Sequence, residues 1–575
     1  MILVGVIPGP HEPSLHINSY LEELVQDLLK LWNGVTMQTS EGAHTVRAAL
    51  LCNASDIPAT RKVGGFVGHG ARKGCSRCLK SFFVSLFGDK ADYSGFNVDT
   101  WPKRSMQEHR EKAFEWKYGK TLSNRHKIEQ EYGARFTELL RLPYFDTVRF
   151  SIVDPMHNVL LGTTKQIVTL WKENGLLSPS DFATIQTHVD RFITPPDIGR
   201  IPHKIASGFC SFTADQWKNW ALIYSLVVLK VMLPVAHYKC WLIFVQACLL
   251  LSSHAIAVNN ISVLHALLVN FCKTFQALYG NDACTPNLHL HCHLRECLMD
   301  FGPADAFWLF ACERLNGILG SVPTNHRSIE TQLMRKFSIS QQAIESLSDA
   351  DRTEIDNLLR PFYFHRGSLK HEELVEVPRL ERLSIINVAD TLCTLQHPIK
   401  ESYLGNDELE AIDGTLRNIF HDLYVRTLLL HKYCSAIHLN GELYGSLESL
   451  HSSSALVYAR LANSCDAAPA FVQQYLSLNI LLNNSDHSGF KHETVYLARV
   501  LWLNAHEQKN WFGASTEVWR KFSANDCKND FLPINDILCR CAYIFDTITF
   551  SDTLEETSSA SFCIAHRYYC YQYSN

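Results

Sequence analysis

The sequence predicts an α/β fold at its start, interrupted by a large all-α body and followed by an α+β region that ends in a small β-rich domain. Three patterns predict it. Residues 2–6 (ILVGV) read as a buried strand, closed by the turn formers Pro8, Gly9 and Pro10. Between about residues 141 and 281 the apolar positions recur with helical spacing. From about residue 494 to 564, short alternating runs separated by turns have the pattern of a small barrel or sandwich.

The elements follow in order. Leu21, Leu24, Val25, Leu28, Leu29 and Trp32 fall on one face of a helix over residues 19–32. Residues 46–51 form a short, mostly apolar run before Asn53 and Asp56 and read as a second core strand. Residues 88–130 turn polar, which predicts a loop and exposed helix. Within the helical body, Thr213 followed by Gln216 is a capping-box signature ahead of Trp217 and Trp220. Residues 324–369 are helical and charged, while residues 441–483 are rich in Ser and Leu and carry no clear period. Together these divide the chain into a partial α/β core at residues 1–80, a mostly helical insertion at 81–285, a closing helical segment of the core at 286–340, a helical region at 341–490 and a small β-rich domain at 491–575.

A length of 575 residues exceeds one ordinary domain, and 46% apolar with 19% charged residues is the composition of a soluble globular protein. The net charge of −5 argues against a chain that is basic throughout, yet leaves room for a local basic groove on a nearly neutral body. Residues 1–13 lack the basic start of a signal peptide, so the 19 cysteines are expected to be intracellular, reduced thiols, some of them free to bind metal. The most apolar stretch, residues 220–258, is cut by Lys230, Pro234, His237, Lys239 and Gln246 into pieces shorter than the about 20 residues a bilayer needs, so no membrane association is expected.

Cys75-Ser-Arg-Cys78 places two thiols where a tight turn, helped by Gly74, can bring both to one tetrahedral zinc. One such pair is half a site, and a redox motif or a chance pair fits the same four residues. His289 and His293, in HLHCH, are i and i+4 on a helix and would share one face, whereas His291 and Cys292 would point elsewhere; a polar helix with clustered histidines is the plainer alternative. Each half supports the other, and a closed Cys2His2 site would be structural, with no open position for chemistry. Asp56, after the second candidate strand, could ligate a divalent ion, or could simply form a turn before Pro58. Glu313 sits in the mostly apolar WLFACERLNG, where a carboxylate needs a metal or an ion-pair partner, unless it lies on a helix surface. Asp154-Pro-Met-His157 reads foremost as a helix cap with Pro155 in the first turn, with His157 as a supporting or core histidine.

In this order the pieces resemble the transposases of the CACTA (En/Spm) superfamily, a DDE family. The strings are Gly5-Val-Ile-Pro-Gly-Pro10, Asp56-Ile-Pro-Ala59 with Lys62 and Gly65, Gly68-His69 before Cys75-Ser-Arg-Cys78, Phe145-Asp-Thr-Val-Arg149 leading to Asp154-Pro-Met-His-Asn158, His289 to His293, Gly302-Pro303 and Glu313-Arg-Leu-Asn-Gly317, over roughly residues 1–340. The resemblance implies a partial RNase H-like core interrupted by the helical insertion. It also implies Asp56 and Glu313 as the second and third catalytic acids, Cys75, Cys78, His289 and His293 as zinc ligands, and two magnesium or manganese ions for DNA strand cleavage and transfer. DNA is the implied partner, the nucleus the implied location, and a homo-oligomer is allowed. In the family the first catalytic aspartate lies upstream of the segment matching Gly5 to Pro10. The resemblance therefore implies an N-terminally truncated chain, inactive as a nuclease in this form. The alternative is a non-enzymatic, zinc-stabilised DNA-binding or interaction protein, and the basic residues Arg314, His326, Arg327, Arg335 and Lys336 are candidates for DNA contact or for a solvated helix face.

Overall fold

The computed structural model of the chain describes residues 4–7, 17–39, 42–84, 90–196, 198–199, 204–209, 211–325, 327–345, 393–396, 399–439, 442–461, 466–483, 489–513, 516–521, 530–550 and 557–566. It divides into two compact units: Met1–Ser178, Ser211–Ala221 and Leu233–Ser346 form one, and Pro179–Cys210, Leu222–Met232 and Leu347–Asn575 the other. The architecture is mixed, with helices and antiparallel sheets.

The first unit is mainly helical. Ile17–Asn33 forms the expected amphipathic helix, and its Val25 packs with Leu139, Leu142 and Phe145. Among the described residues, neither of the two strands expected before and after it is formed. Residues 4–7 have no regular structure and Val4 is 72% exposed, while residues 2 and 3 and the Pro8-Gly9-Pro10 turn lie outside the described residues. An apolar run makes a strand only where another backbone takes its hydrogen bonds. Of residues 46–51 only Val46 is in a strand, the end of a hairpin in which Val35–Thr39 pairs with Gly42–Val46. Beyond it the backbone bonds elsewhere: Ala48 N to Leu31 O at 3.2 Å, and Leu50 N to the Tyr144 hydroxyl at 3.1 Å, with Leu51 exposed. Among the described residues this hairpin is the unit's one sheet, so no strand layer of the RNase H-like type is built from them.

Two helices cover the polar segment, Met106–Tyr118 and Leu122–Tyr132, capped by Ser105 and Thr121. The centre of the unit is packed by Val235–Leu251 against Val258–Tyr279, whose Leu264, Leu268, Phe271, Cys272 and Phe275 are buried. Val258–Tyr279 is long and apolar enough to cross a membrane by length and composition alone, but this buried face is that of a core helix. Trp171 anchors the packing, edge-on to Trp241 and donating from Nε1 to the Tyr279 hydroxyl at 2.8 Å. The predicted capping box exists: Thr213 N donates to the Gln216 side chain at 2.9 Å, and Gln216 N to Thr213 Oγ1 at 3.4 Å.

The second unit is mainly β, and its strands begin far earlier than residue 491. Where residues 341–490 were expected to be helical, the described part carries the helix Asn406–Phe420 and the helical turns 421–423 and 452–454, and is otherwise largely strands. Residues 346–369 of the expected charged helix lie outside the described residues; Ile329–Glu345 is its described part. Ten antiparallel strands run in the order Asn504–Ala505, Thr516–Arg520, Thr557–His566, Ile537–Phe550, Leu456–Arg460, Ala467–Asn483, Phe490–Trp502 and Asp530–Pro533, with Tyr424–Cys434 paired to Ala467–Asn483 and Lys400–Tyr403 paired to Tyr424–Cys434. Ile412, Leu416 and Phe420 seat the helix on this sheet against Leu476, Leu478, Ile480 and Leu497. Ile193 joins the same unit through a two-bond bridge to Tyr543.

Candidate metal centre

The Cys75–Cys78 turn follows the helix Ile57–Gly64. Gly74 is required there, because a Cβ would stand 2.8 Å from both the His69 carbonyl and the Tyr93 hydroxyl. Arg77 N donates to Cys75 Sγ at 3.3 Å, so a backbone N–H already favours a thiolate at that sulfur. The loop is pinned by Arg104, whose Nη2 donates to Cys75 O at 2.9 Å, and by a bridge between Cys78 and Lys103.

The histidines arrive from the other end of the unit. His289 lies in Pro286–His291, and His293 precedes Leu294–Phe301. The single helix expected across them is broken: Cys292 N bonds to His289 O at 3.2 Å and His293 N to Leu290 O at 3.0 Å, tight i→i+3 bonds that separate two short helices. Both rings still turn the same way, with centroids 5.1 Å apart. His291 and Cys292 turn away as expected, His291 Nε2 meeting Thr163 Oγ1 at 3.0 Å.

Cys75, Cys78, His289 and His293 therefore converge. Their four donor atoms lie within 4.8 Å of one another and all four residues are buried, so the group could hold a metal ion. Cys78 Sγ stands 3.3 Å from His289 Nε2. Trp101 stacks on His289 at 4.2 Å, with Phe82 and Tyr93 edge-on, walling the group off from water. Glu296, which the sequence reading missed, holds His293 Nδ1 at 3.1 Å and so aims Nε2 inward; that nitrogen has no hydrogen-bond partner among the described residues. A buried ring nitrogen left without a partner is costly unless something else takes it, and a metal ion fits. The signal was the i, i+3 spacing from His293 to Glu296.

The electrostatics agree. Burial opposes ionisation of Cys75, but its hydrogen bond with Cys78 and the two imidazoles outweigh this and hold its thiol well below the ordinary value. Cys78 moves the other way, pushed up by that same bond and by burial. With the two sulfurs this close, a thiolate at one opposes ionisation of the other, and a shared cation would relieve that opposition. Burial pushes His289 down to about 4. Burial also opposes the charged form of His293, yet Cys75 and Glu296 raise it to about 10. Arg61, Arg77 and Arg104 are all buried close by. Arg77 spends its donors on Val148 O, Arg149 O and Cys297 Sγ, at 2.9, 3.0 and 2.6 Å.

The candidate acids lie in the same unit. Asp56 caps the helix Ile57–Gly64, its Oδ1 accepting from Ala59 N at 2.7 Å, and is exposed. Glu313 is exposed on Phe310–Ser321, with its Oε1 3.6 Å from His157 Nε2. Asp154 is the expected cap, accepting from Met156 N and His157 N, and it also holds His157 Nδ1 at 2.7 Å. That hydrogen bond raises the His157 pKa against burial, helped by the charges of Asp154, Glu313 and Asp56. Three candidate carboxylates thus act on one imidazole, a link that no spacing revealed. Arg314, Arg327, Arg335 and Lys336 are exposed, and His326 lies outside the described residues.

No curated protein matches the chain. Residues 1–124, which carry Asp56, Cys75 and Cys78, match the family model described as Transposase family tnp2, and this supports a transposase relationship for the chain.

Proposed function

We propose that this chain is a transposase-derived protein of the DDE type, in which a structural zinc held by Cys75, Cys78, His289 and His293 clamps the segment matching the transposase model to the segment bearing Glu313. The carrying observation is that four buried donors from opposite ends of the unit meet at one point. Two sulfurs and two imidazole nitrogens suit tetrahedral zinc, and four protein ligands leave no position for substrate. Asp56 and Glu313 are the acids assigned to magnesium or manganese, whose role when bound would be to polarise a phosphodiester and its attacking water. The substrate class is DNA, and a nuclear location goes with it.

Zinc analysis of pure protein tests the clamp: about one zinc per chain, lost in Cys75→Ser, is expected. Manganese-dependent cleavage of duplex DNA, compared with Asp56→Ala and Glu313→Ala, tests the chemistry; cleavage indifferent to both substitutions would sink that assignment.

A second reading has its own observation. Among the described residues the Cys2His2 group is the one set of three or more such side chains drawn close enough to hold an ion, and Asp56 uses an oxygen as a helix cap. This favours a zinc-stabilised protein that binds DNA or a partner without cleaving it. Arg327→Ala with Arg335→Ala separates the two readings: loss of duplex binding and of its salt dependence, in a chain that never cleaves, supports the second.

A further inference from the structure

We infer that Asp154 and His157 are a positioning pair for Glu313, the buried carboxylate fixing both the start of the Glu313 helix and the imidazole that faces the Glu313 side chain. The inference rests on the reading of Glu313 as a metal-binding acid.

The Asp154 side chain is fully buried, and its two oxygens serve separate elements. Oδ1 accepts from Met156 N at 3.2 Å and from Leu309 N at 3.0 Å. Oδ2 accepts from His157 N at 2.9 Å and meets His157 Nδ1 at 2.7 Å. Leu309 is the residue that opens the helix Phe310–Ser321, and its own carbonyl accepts from Glu313 N at 2.9 Å. One carboxylate is therefore a single bond from the turn that carries Glu313 and a single bond from the ring that faces it. Helix capping alone accounts for the bonds to Met156 and His157 backbone, and needs neither the bond to Leu309, 155 positions away, nor the one to the ring.

The ring geometry follows from that contact. A carboxylate at Nδ1 takes that nitrogen's proton in a hydrogen bond and aims Nε2 outward, where a ring protonated on both nitrogens can donate to a facing carboxylate. Nε2 then stands 3.6 Å from Glu313 Oε1. Glu313 keeps 51% of its side chain exposed and has His157 as its one ion-pair partner among the described residues. Without the imidazole, nothing described restrains that carboxylate from sweeping through solvent, and a carboxylate that must be ordered on binding gives up affinity for the ion.

The test is a manganese titration of the full, zinc-loaded chain followed by electron paramagnetic resonance, with zinc content and melting temperature measured alongside. Glu313→Gln and Asp56→Asn are expected to abolish the specific manganese signal. His157→Ala is expected to weaken it by about tenfold while zinc content and melting stay near wild type. His157→Gln, whose amide can stand where Nε2 stood, should recover part of the loss, and His157→Asn, which replaces only Nδ1, should not. A purely structural histidine would not make that distinction. Manganese affinity unchanged in His157→Ala, with Glu313→Gln still defective, overturns the positioning role and leaves the reading of Glu313 intact. Manganese absent from the wild type, or indifferent to Glu313→Gln and Asp56→Asn, overturns the reading of Glu313 and the positioning role with it.

Discussion

At the scale of residues, three guanidinium groups and two thiols share one buried volume. Arg77 has the Glu296 carboxylate 3.9 Å from its Nε, whereas Arg104 meets carbonyls, which carry no net charge, and draws compensating charge from the Cys75 sulfur. Cys75→Ser should therefore cost more than a ligand. A hydroxyl does not ionise there, so Arg104 loses part of its counter-charge, and a loss of about 3 kcal/mol in urea unfolding is expected. Ser76→Ala, one position along the same turn, serves as the control with little effect on metal content. His109 gives a pH prediction. Burial and the charge of Arg104 push it down to about 3, so the folded chain leaves it neutral where the unfolded chain, with an ordinary histidine, takes a proton below pH about 6.5. The unfolded state binds the extra proton throughout that window, and stability falls as the pH drops from about 6.5 towards 3, by up to about 1.4 kcal/mol per pH unit. In His109→Gln the unfolding free energy should depend less steeply on pH over that range; an unchanged slope refutes it. The CxxC and the histidine pair could be read from spacing because ligand geometry dictates spacing. The partners of Asp154, His157 and Glu313 could not, since each meets the others across more than one element.

At the scale of elements, the π-helical segment Met156–Thr163 does the joining. Its wider turn leaves carbonyls that side chains take up, Thr163 Oγ1 bonding to Asn158 O at 3.2 Å. Asn158 Nδ2 reaches Asn287 O at 3.0 Å, and Gly162 lets the histidine-bearing helix approach, because a Cβ there would overlap the Asn287 amide and stand 2.6 Å from the His157 carbonyl. Gly162→Ala should push Pro286–His291 away from this segment, reducing zinc retention against a competing chelator as well as lowering stability by roughly 1–3 kcal/mol. Thr213→Ala removes a capping box that includes none of the four ligands, and is expected to cost about 1 kcal/mol with zinc retention unchanged. Helices with caps and one apolar face were legible, as residues 17–33 and 213–219 show. Residues 46–51 were not: their apolar character is real, but Leu31 O and Tyr144 take the backbone groups that a strand would have offered to a neighbour.

For the whole molecule, the ligands all belong to one unit and the long antiparallel sheet to the other. Chelation of the metal is therefore expected to lower the melting of the helical unit and to leave the β unit's transition nearly in place, seen as two steps in calorimetry where the loaded protein shows them closer together. A single transition shifting as one would contradict it. The sheet itself was only partly legible. Its strands from residue 494 onward alternate clearly, whereas Ala467–Asn483 opens on six apolar residues, 467–472, nearly all buried, a run that periodicity cannot separate from a buried helix.

The distance along the chain between Cys78 and its neighbour His289, 211 positions, has a consequence for synthesis. At about 5–20 residues per second, the ribosome needs roughly 10–40 s to make the stretch between them. For that interval the Cys75–Cys78 turn is a two-sulfur site without its imidazoles, open to oxidants and to any passing metal, and the unit can close only once its last ligands have emerged.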